Sequence, residues 1–151
     1  MAIDVTIETA IAAPPDTVFA RIADVDAWPT WLIASGIVSV ARTSTGPLTV
    51  DERLSVAQRA AGRAGMFDAV VRSIDPPRSF VVEGRDAEDV TIAIEADVAP
   101  GERGSVLRWS IRIGLPFRYR IFESMAKPEV QRAAALDVEA LRRHLESPAG
   151  G

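Results

Sequence analysis

The sequence has no cysteine and no asparagine, and only one histidine and one lysine. Each scarcity removes a class of chemistry. Without cysteine there is no disulfide, no thiolate nucleophile and no thiolate-held zinc or iron–sulfur site. Without asparagine there is no acceptor for N-glycosylation. A lone histidine, His144, excludes a multi-histidine metal site within one chain. Lys127, beside sixteen arginines, is the one candidate for Schiff-base chemistry. Any chemistry is therefore left to carboxylates, the single tyrosine Tyr119, or water, and no metal or other cofactor is expected.

Long apolar runs are also missing. None approaches the roughly 18 residues a membrane helix requires. The opening Met1-Ala2-Ile3-Asp4 does not lead a basic region into an apolar stretch, as a signal peptide would. A cytoplasmic protein without membrane insertion is the expectation. The net charge of -4 argues against a general nucleic-acid binder, which presents a basic surface.

What is present is enough for one domain with a real core: 151 residues, 48% of them apolar. That domain is expected over residues 1–146, with a loose tail from Ser147 to Gly151. Ile3 to Glu8 alternates apolar and polar residues, as a half-buried strand does. Pro14-Pro15-Asp16 then suits a first helical turn, and Val18, Phe19 and Ile22 follow at helical spacing. A second short helix is expected around Trp28-Pro29-Thr30-Trp31-Leu32. From Gly36 the pattern changes to strands: 37–42, 48–59, 66–74, 79–85, 89–98 and 105–113. Short turn-forming separators such as Asp75-Pro76-Pro77 make successive strands hairpin neighbours in an antiparallel meander.

The last two strands alternate most clearly. Ile92, Ile94, Ala96 and Val98 oppose Glu95 and Asp97, while Leu107, Trp109 and Ile111 oppose Arg108 and Arg112, so one sheet face is wet and one covered. The cover is a helical pattern from about Phe117 to Glu146, in which Pro128 is expected to kink or break the helix. The fold class is thus α+β: a curled antiparallel sheet of about seven strands gripping a long C-terminal helix.

This order, with its local wording, resembles the START-like, Bet v 1-like (SRPBCC) superfamily, in particular its polyketide cyclase/dehydrase and lipid-transport members. Ile11-Ala12-Ala13-Pro14-Pro15-Asp16-Thr17-Val18-Phe19 resembles the family's first strand-to-helix junction, and Trp28-Pro29-Thr30-Trp31 its tryptophan pair. Asp75-Pro76-Pro77-Arg78 resembles its fourth-to-fifth-strand turn, and Gly104-Ser105-Val106-Leu107-Arg108-Trp109 the opening of its last strand. One departure is Asp51, where the family often has glycine. The resemblance implies a helix-grip fold. It does not choose among lipid carriers, hormone-binding proteins, aromatases and cyclases, or chaperone-associated domains, because the matched residues build the scaffold.

Few residues are placed for chemistry. Glu52 and Gln58 fall in the apolar phase of their strand with Leu54 and Val56. Two readings are open for Glu52: a cavity carboxyl with a raised pKa, able to donate a proton, or a solvated group turned outward by a bulge near Asp51. Asp68 and Arg72 are either in phase with Met66, Val70 and Ile74 or solvated opposite Phe67, Ala69 and Val71. Tyr119 is placed to donate to a ligand carbonyl, or simply to pack its ring. His144 belongs to the last helical turn, where a cation suits the helix dipole. Trp28 belongs with the core. The leading functional expectation is binding of a hydrophobic small molecule (lipid, polyketide or aromatic) in a cavity between sheet and helix. Its expected lining is Leu54, Val56, Phe67, Val71, Phe80, Val82, Ile92, Ile94, Trp109, Ile111, Phe122 and Met125. The alternatives are a cofactor-free cyclase or dehydratase using Glu52 or Tyr119, and a protein-interaction domain. Homodimerisation stays open.

Overall fold

A computed structural model of the chain describes residues 2–60 and 62–147. The tail from Pro148 onward, expected to be loose, lies outside them. Strand β1 (Ala2–Ile11) leads into helix α1 (Pro15–Ala23), a single 3-10 turn (Val25–Ala27) and the short helix α2 (Trp28–Trp31). Six strands follow: β2 (Ile37–Arg42), β3 (Arg53–Ala60), β4 (Arg63–Asp75), β5 (Ser79–Arg85), β6 (Thr91–Gly101) and β7 (Gly104–Gly114). A 3-10 segment (Phe117–Phe122) then opens into helix α3 (Glu123–Glu146).

All neighbouring strands are antiparallel, in the order β1-β7-β6-β5-β4-β3-β2. The meander accounts for every neighbour but one: β1 closes onto β7 and pairs Ile3 with Ile113 and Val5 with Ile111. The expected alternation sets which face is covered. Ile94 and Ala96 stand opposite Ile111 and Trp109, all four buried, while Glu95, Arg108 and Arg112 are exposed.

Helix α1 buries Val18, Phe19 and Ile22 against β6 and β7. Helix α3 buries Ala134, Val138 and Leu141 at three- and four-residue steps and packs chiefly on β1. Between them lies an aromatic cluster. Phe80 sits 6.1 Å from Phe19, 6.5 Å from Trp28 and 6.3 Å from Trp109, and Trp31 meets Trp109 edge-on at 5.2 Å. The Trp28 indole donates to the Ile22 carbonyl at 2.9 Å, which fixes α2 against the end of α1.

Several expected bounds need correction, among them β4, which begins at Arg63 and not Met66, and the last helix, which is 3-10 from Phe117 to Phe122. The strand expected from Leu48 begins only at Arg53, because Asp51 turns the chain with φ 71°, the left-handed conformation that glycine adopts freely. This is the position where the resembling family often has glycine. The residues before Arg53 still hydrogen-bond to β4, through Asp51 N–H to Val71 O at 2.8 Å and Val71 N–H to Glu52 O at 3.0 Å. The strand expected from Asp89 begins at Thr91, since Asp86 accepts from the Glu88 and Val90 amides at 2.8 and 2.9 Å and holds a turn there. Of the kink or break expected at Pro128, the break does not occur: α3 runs through it from Glu123 to Glu146.

Candidate functional site: two clefts beneath the C-terminal helix

Helix α3 grips β1 with its C-terminal half, so its N-terminal half stands over sheet that nothing else fills. Two clefts result. The first, of about 480 Å³, has a floor of Ile92 and Ile94 from β6 and Trp109, Ile111 and Ile113 from β7. Val130, Ala133 and Leu136 of α3 form its roof, and Leu32 to Ile37 with Gln58 to Ala60 form one wall. The second, of about 630 Å³, lies between the β3–β4 hairpin at Met66 and Phe67, the β5–β6 turn at Asp86 to Glu88, and Tyr119, Phe122 and Ala126. Gln58 and Ala60 line both, so the clefts meet at the end of β3.

The wall of the first cleft is a fitted piece. Asp137, buried on α3, accepts the Ala34 and Ser35 amides at 2.7 and 3.0 Å. Gln58 donates to the Ser35 carbonyl at 2.8 Å, and the Arg59 amide donates to the Gly36 carbonyl at 2.8 Å. Gly36 has φ +79°, and a Cβ there would fall 2.0 Å from the Arg59 carbonyl oxygen. Only glycine lets this loop lie so close to β3. Burial pushes the Asp137 carboxyl above the usual aspartate range, against the opposing pull of its Ser35 and Ala34 donors.

The mouth of the second cleft is joined at Glu88. Its carboxylate accepts the Tyr119 hydroxyl at 2.6 Å and meets Arg63 at 3.0 Å, while its carbonyl accepts from Arg118 at 2.6 Å. The Tyr119 hydrogen bond, with help from Arg63 and Arg118, holds this carboxyl below the usual glutamate range.

Neither reading of Glu52 holds. It is buried, at 6% exposure, yet it lies in the wall of neither cleft. Arg42 binds it through two hydrogen bonds at 2.7 and 3.0 Å, and this partner lowers its pKa, against burial that would raise it. A guanidinium at hydrogen-bond distance outweighs desolvation, so Glu52 is an ion-pair anchor and not a cavity acid. Asp68 and Arg72 are exposed, with Arg72 near Glu83 at 3.4 Å. His144 and Lys127 are exposed on α3. Trp28 and Trp31 are in the core.

Of the twelve residues expected as lining, Ile92, Ile94, Trp109 and Ile111 floor the first cleft, and Phe67 and Phe122 line the second. Leu54, Val56, Val71, Phe80 and Val82 are packed in the core, and Met125 is exposed outside both clefts. Asp137 and the Ala34–Gly36 loop escaped the sequence reading. A signal for Asp137 exists, since it lies three residues after Ala134 and four before Leu141, inside the buried stripe of α3. Among the described residues no group of three or more histidines or carboxylates is placed to hold a metal ion. No helix among them is long and apolar enough to cross a membrane.

A model of the polyketide cyclase / dehydrase and lipid transport family matches residues 2–146. The chain belongs to that family. Solved structures with the same fold include the Zhui aromatase/cyclase from Streptomyces sp. R1128, at 16% identity and TM-score 0.79, covering 100% of this chain and 99% of that one. A START superfamily protein from Mycobacterium smegmatis is similar at 16% identity and TM-score 0.73, over 96% and 97% of the two chains. The chain also matches 53% of the di-domain aromatase/cyclase StfQ of the steffimycin biosynthetic pathway, with all of its own length, at 12% identity and TM-score 0.78. At such identities these likenesses speak for the fold. No functionally curated protein matches the sequence.

Proposed function

We propose that this family member binds a hydrophobic small molecule, of lipid, polyketide or aromatic type, in the cleft between β6, β7 and the N-terminal half of α3. The observation that carries this reading is the first cleft. Its floor is apolar, formed by Ile92, Ile94, Ile111 and Ile113 over the buried Trp109, and its volume of about 480 Å³ lies within the range of roughly 300–1,000 Å³ typical of small-molecule sites. Gln58, where the two clefts meet, is the one uncharged side-chain amide in their walls and suits a ligand oxygen. Membership of a polyketide cyclase and lipid-transport family supports the same class of ligand.

A second reading, a cofactor-free cyclase or dehydratase, has one observation in its favour. Tyr119 lines the second cleft with its hydroxyl on the Glu88 carboxylate. Glu52, held by Arg42 outside both clefts, gives that reading no help.

The test is native mass spectrometry of protein purified gently from its native host, together with a thermal-shift screen of apolar compounds. Retained mass of a low-polarity molecule and a Tm rise with compounds of that class are expected. A ligand present at a hundred times its Kd stabilises by about 2.7 kcal/mol, well within reach of such a screen. No retained mass and no compound that shifts Tm would contradict the proposal.

A further inference from the structure

The segment that leads into α3 presents its large apolar side chains to solvent. Phe117 is 86% exposed, Ile121 78% and Met125 71%. They lie along one continuous run about 15 Å long, Phe117 and Ile121 on the 3-10 segment and Met125 in the first turn of α3. Scattered exposed apolar residues are ordinary, but three large ones in nine residues form a patch with a use. Met66 and the half-exposed Phe122, both lining the second cleft, extend this surface to the cleft's mouth.

The charged side chains on the segment are mainly basic, although Arg118 is engaged by Glu88, whose carbonyl accepts from it at 2.6 Å and whose carboxylate holds Tyr119. Arg118, Arg120 and Lys127 are all exposed. The only carboxylate between Phe117 and Lys127 is Glu123, which has one oxygen buried. Arg120 and Lys127 have no carboxylate at ion-pair distance among the described residues. The segment is thus locally cationic in a chain whose net charge is -4.

We propose that this surface docks on an anionic lipid bilayer, with Phe117, Ile121 and Met125 entering the interface and Arg120 and Lys127 meeting the headgroups. Charge complementarity selects this occupant. A second copy set symmetrically on the same surface would bring the two cations against their counterparts. A bilayer rich in acidic headgroups instead attracts both, and each is worth about fivefold in affinity. The acidic remainder of the chain offers little opposition, because salt at physiological strength screens charge beyond roughly 8 Å. The mouth of the second cleft would then face the bilayer, so an apolar molecule could pass into the protein without crossing water. That last consequence rests on the ligand-binding proposal; the docking does not.

Flotation with phospholipid vesicles, without added ligand, tests the surface alone. Wild-type protein should float with vesicles of phosphatidylcholine containing phosphatidylserine, should not float with phosphatidylcholine alone, and should be released by salt. F117S/I121S/M125S, which touches neither cleft, should bind at least about tenfold more weakly. R120Q/K127Q should lose about 25-fold while leaving every apolar contact in place. Circular dichroism confirms that each variant is folded, and the salt titration of wild type stands even where a variant is not. Absence of flotation with the phosphatidylserine-containing vesicles overturns the proposal, as does equal binding to neutral and anionic vesicles. A wild-type dimer that F117S/I121S/M125S turns into a monomer also overturns it, by assigning the face to a second copy of the chain.

Discussion

At the scale of single residues, the buried carboxylates divide by partner. Glu52 has a guanidinium and Asp137 has backbone amides, and the two respond to pH with opposite sign. Glu52 has a lowered pKa, so its stabilising contribution is present above the ordinary glutamate range and is lost as pH falls through its depressed folded value. Asp137 has a raised one, so its contribution is full below the ordinary aspartate range and is lost as pH rises through the raised value. Urea unfolding across acid pH should therefore show the advantage of wild type over E52Q growing as pH rises, and its advantage over D137N shrinking. Two differences that move together would contradict these assignments. At neutral pH, E52Q should cost about 2–3 kcal/mol. That is below the roughly 3–5 kcal/mol of a broken buried pair, because Arg42 keeps Asp26 at 3.7 Å. The sequence could show that Glu52 fell in an apolar phase but not that Arg42 would reach it. Strand phase says which way a side chain points, and pairing depends on the register of β2 against β3, where Arg42 stands beside Leu54.

At the scale of elements, legibility followed the clarity of the periodic signal. Strands β2 and β5 begin and end where their patterns do, at Ile37–Arg42 and Ser79–Arg85. The pattern from Leu48 read as strand because Leu48, Val50, Glu52 and Leu54 alternate, yet a left-handed Asp51 interrupts it, and alternation carries no sign of φ. The Ala34–Gly36 loop was illegible for a related reason. Its place is set by Asp137, about a hundred residues away in sequence, and by close approach to Arg59. Gly36→Ala tests that approach. Left-handed strain alone costs about 1–2 kcal/mol, and the overlap with the Arg59 carbonyl adds to it, so denaturant unfolding should show a loss above about 2 kcal/mol. A loss below about 0.5 kcal/mol would mean that the loop does not lie as described. Pro128 offers the reverse experiment. It denies α3 one backbone donor without ending the helix, so P128A should raise the unfolding free energy by about 1 kcal/mol or more. A destabilised P128A would show that the ring's packing outweighs the missing hydrogen bond.

At the scale of the whole molecule, the long helix does two things along its length. From its middle onward Ala134, Val138 and Leu141 complete the core, while Val130, Ala133 and Leu136 roof apolar sheet without filling the space beneath. The sequence revealed the helix and the apolar face but not where along the helix packing would give way to a cleft. Expected lining residues consequently divide between cleft floor and solid core. Ala133, in the roof of the first cleft, gives the most direct access to the apolar molecule proposed to bind there. Titration of wild type and Ala133→Trp with an uncharged naphthalene-class fluorophore, read by energy transfer from tryptophan, measures occupancy beside Trp109. Saturable one-to-one binding to wild type is expected, with at least about a tenfold loss in a folded A133W, whose indole fills the cleft. Binding to A133W as tight as to wild type, or no saturable binding to wild type, would contradict the proposal.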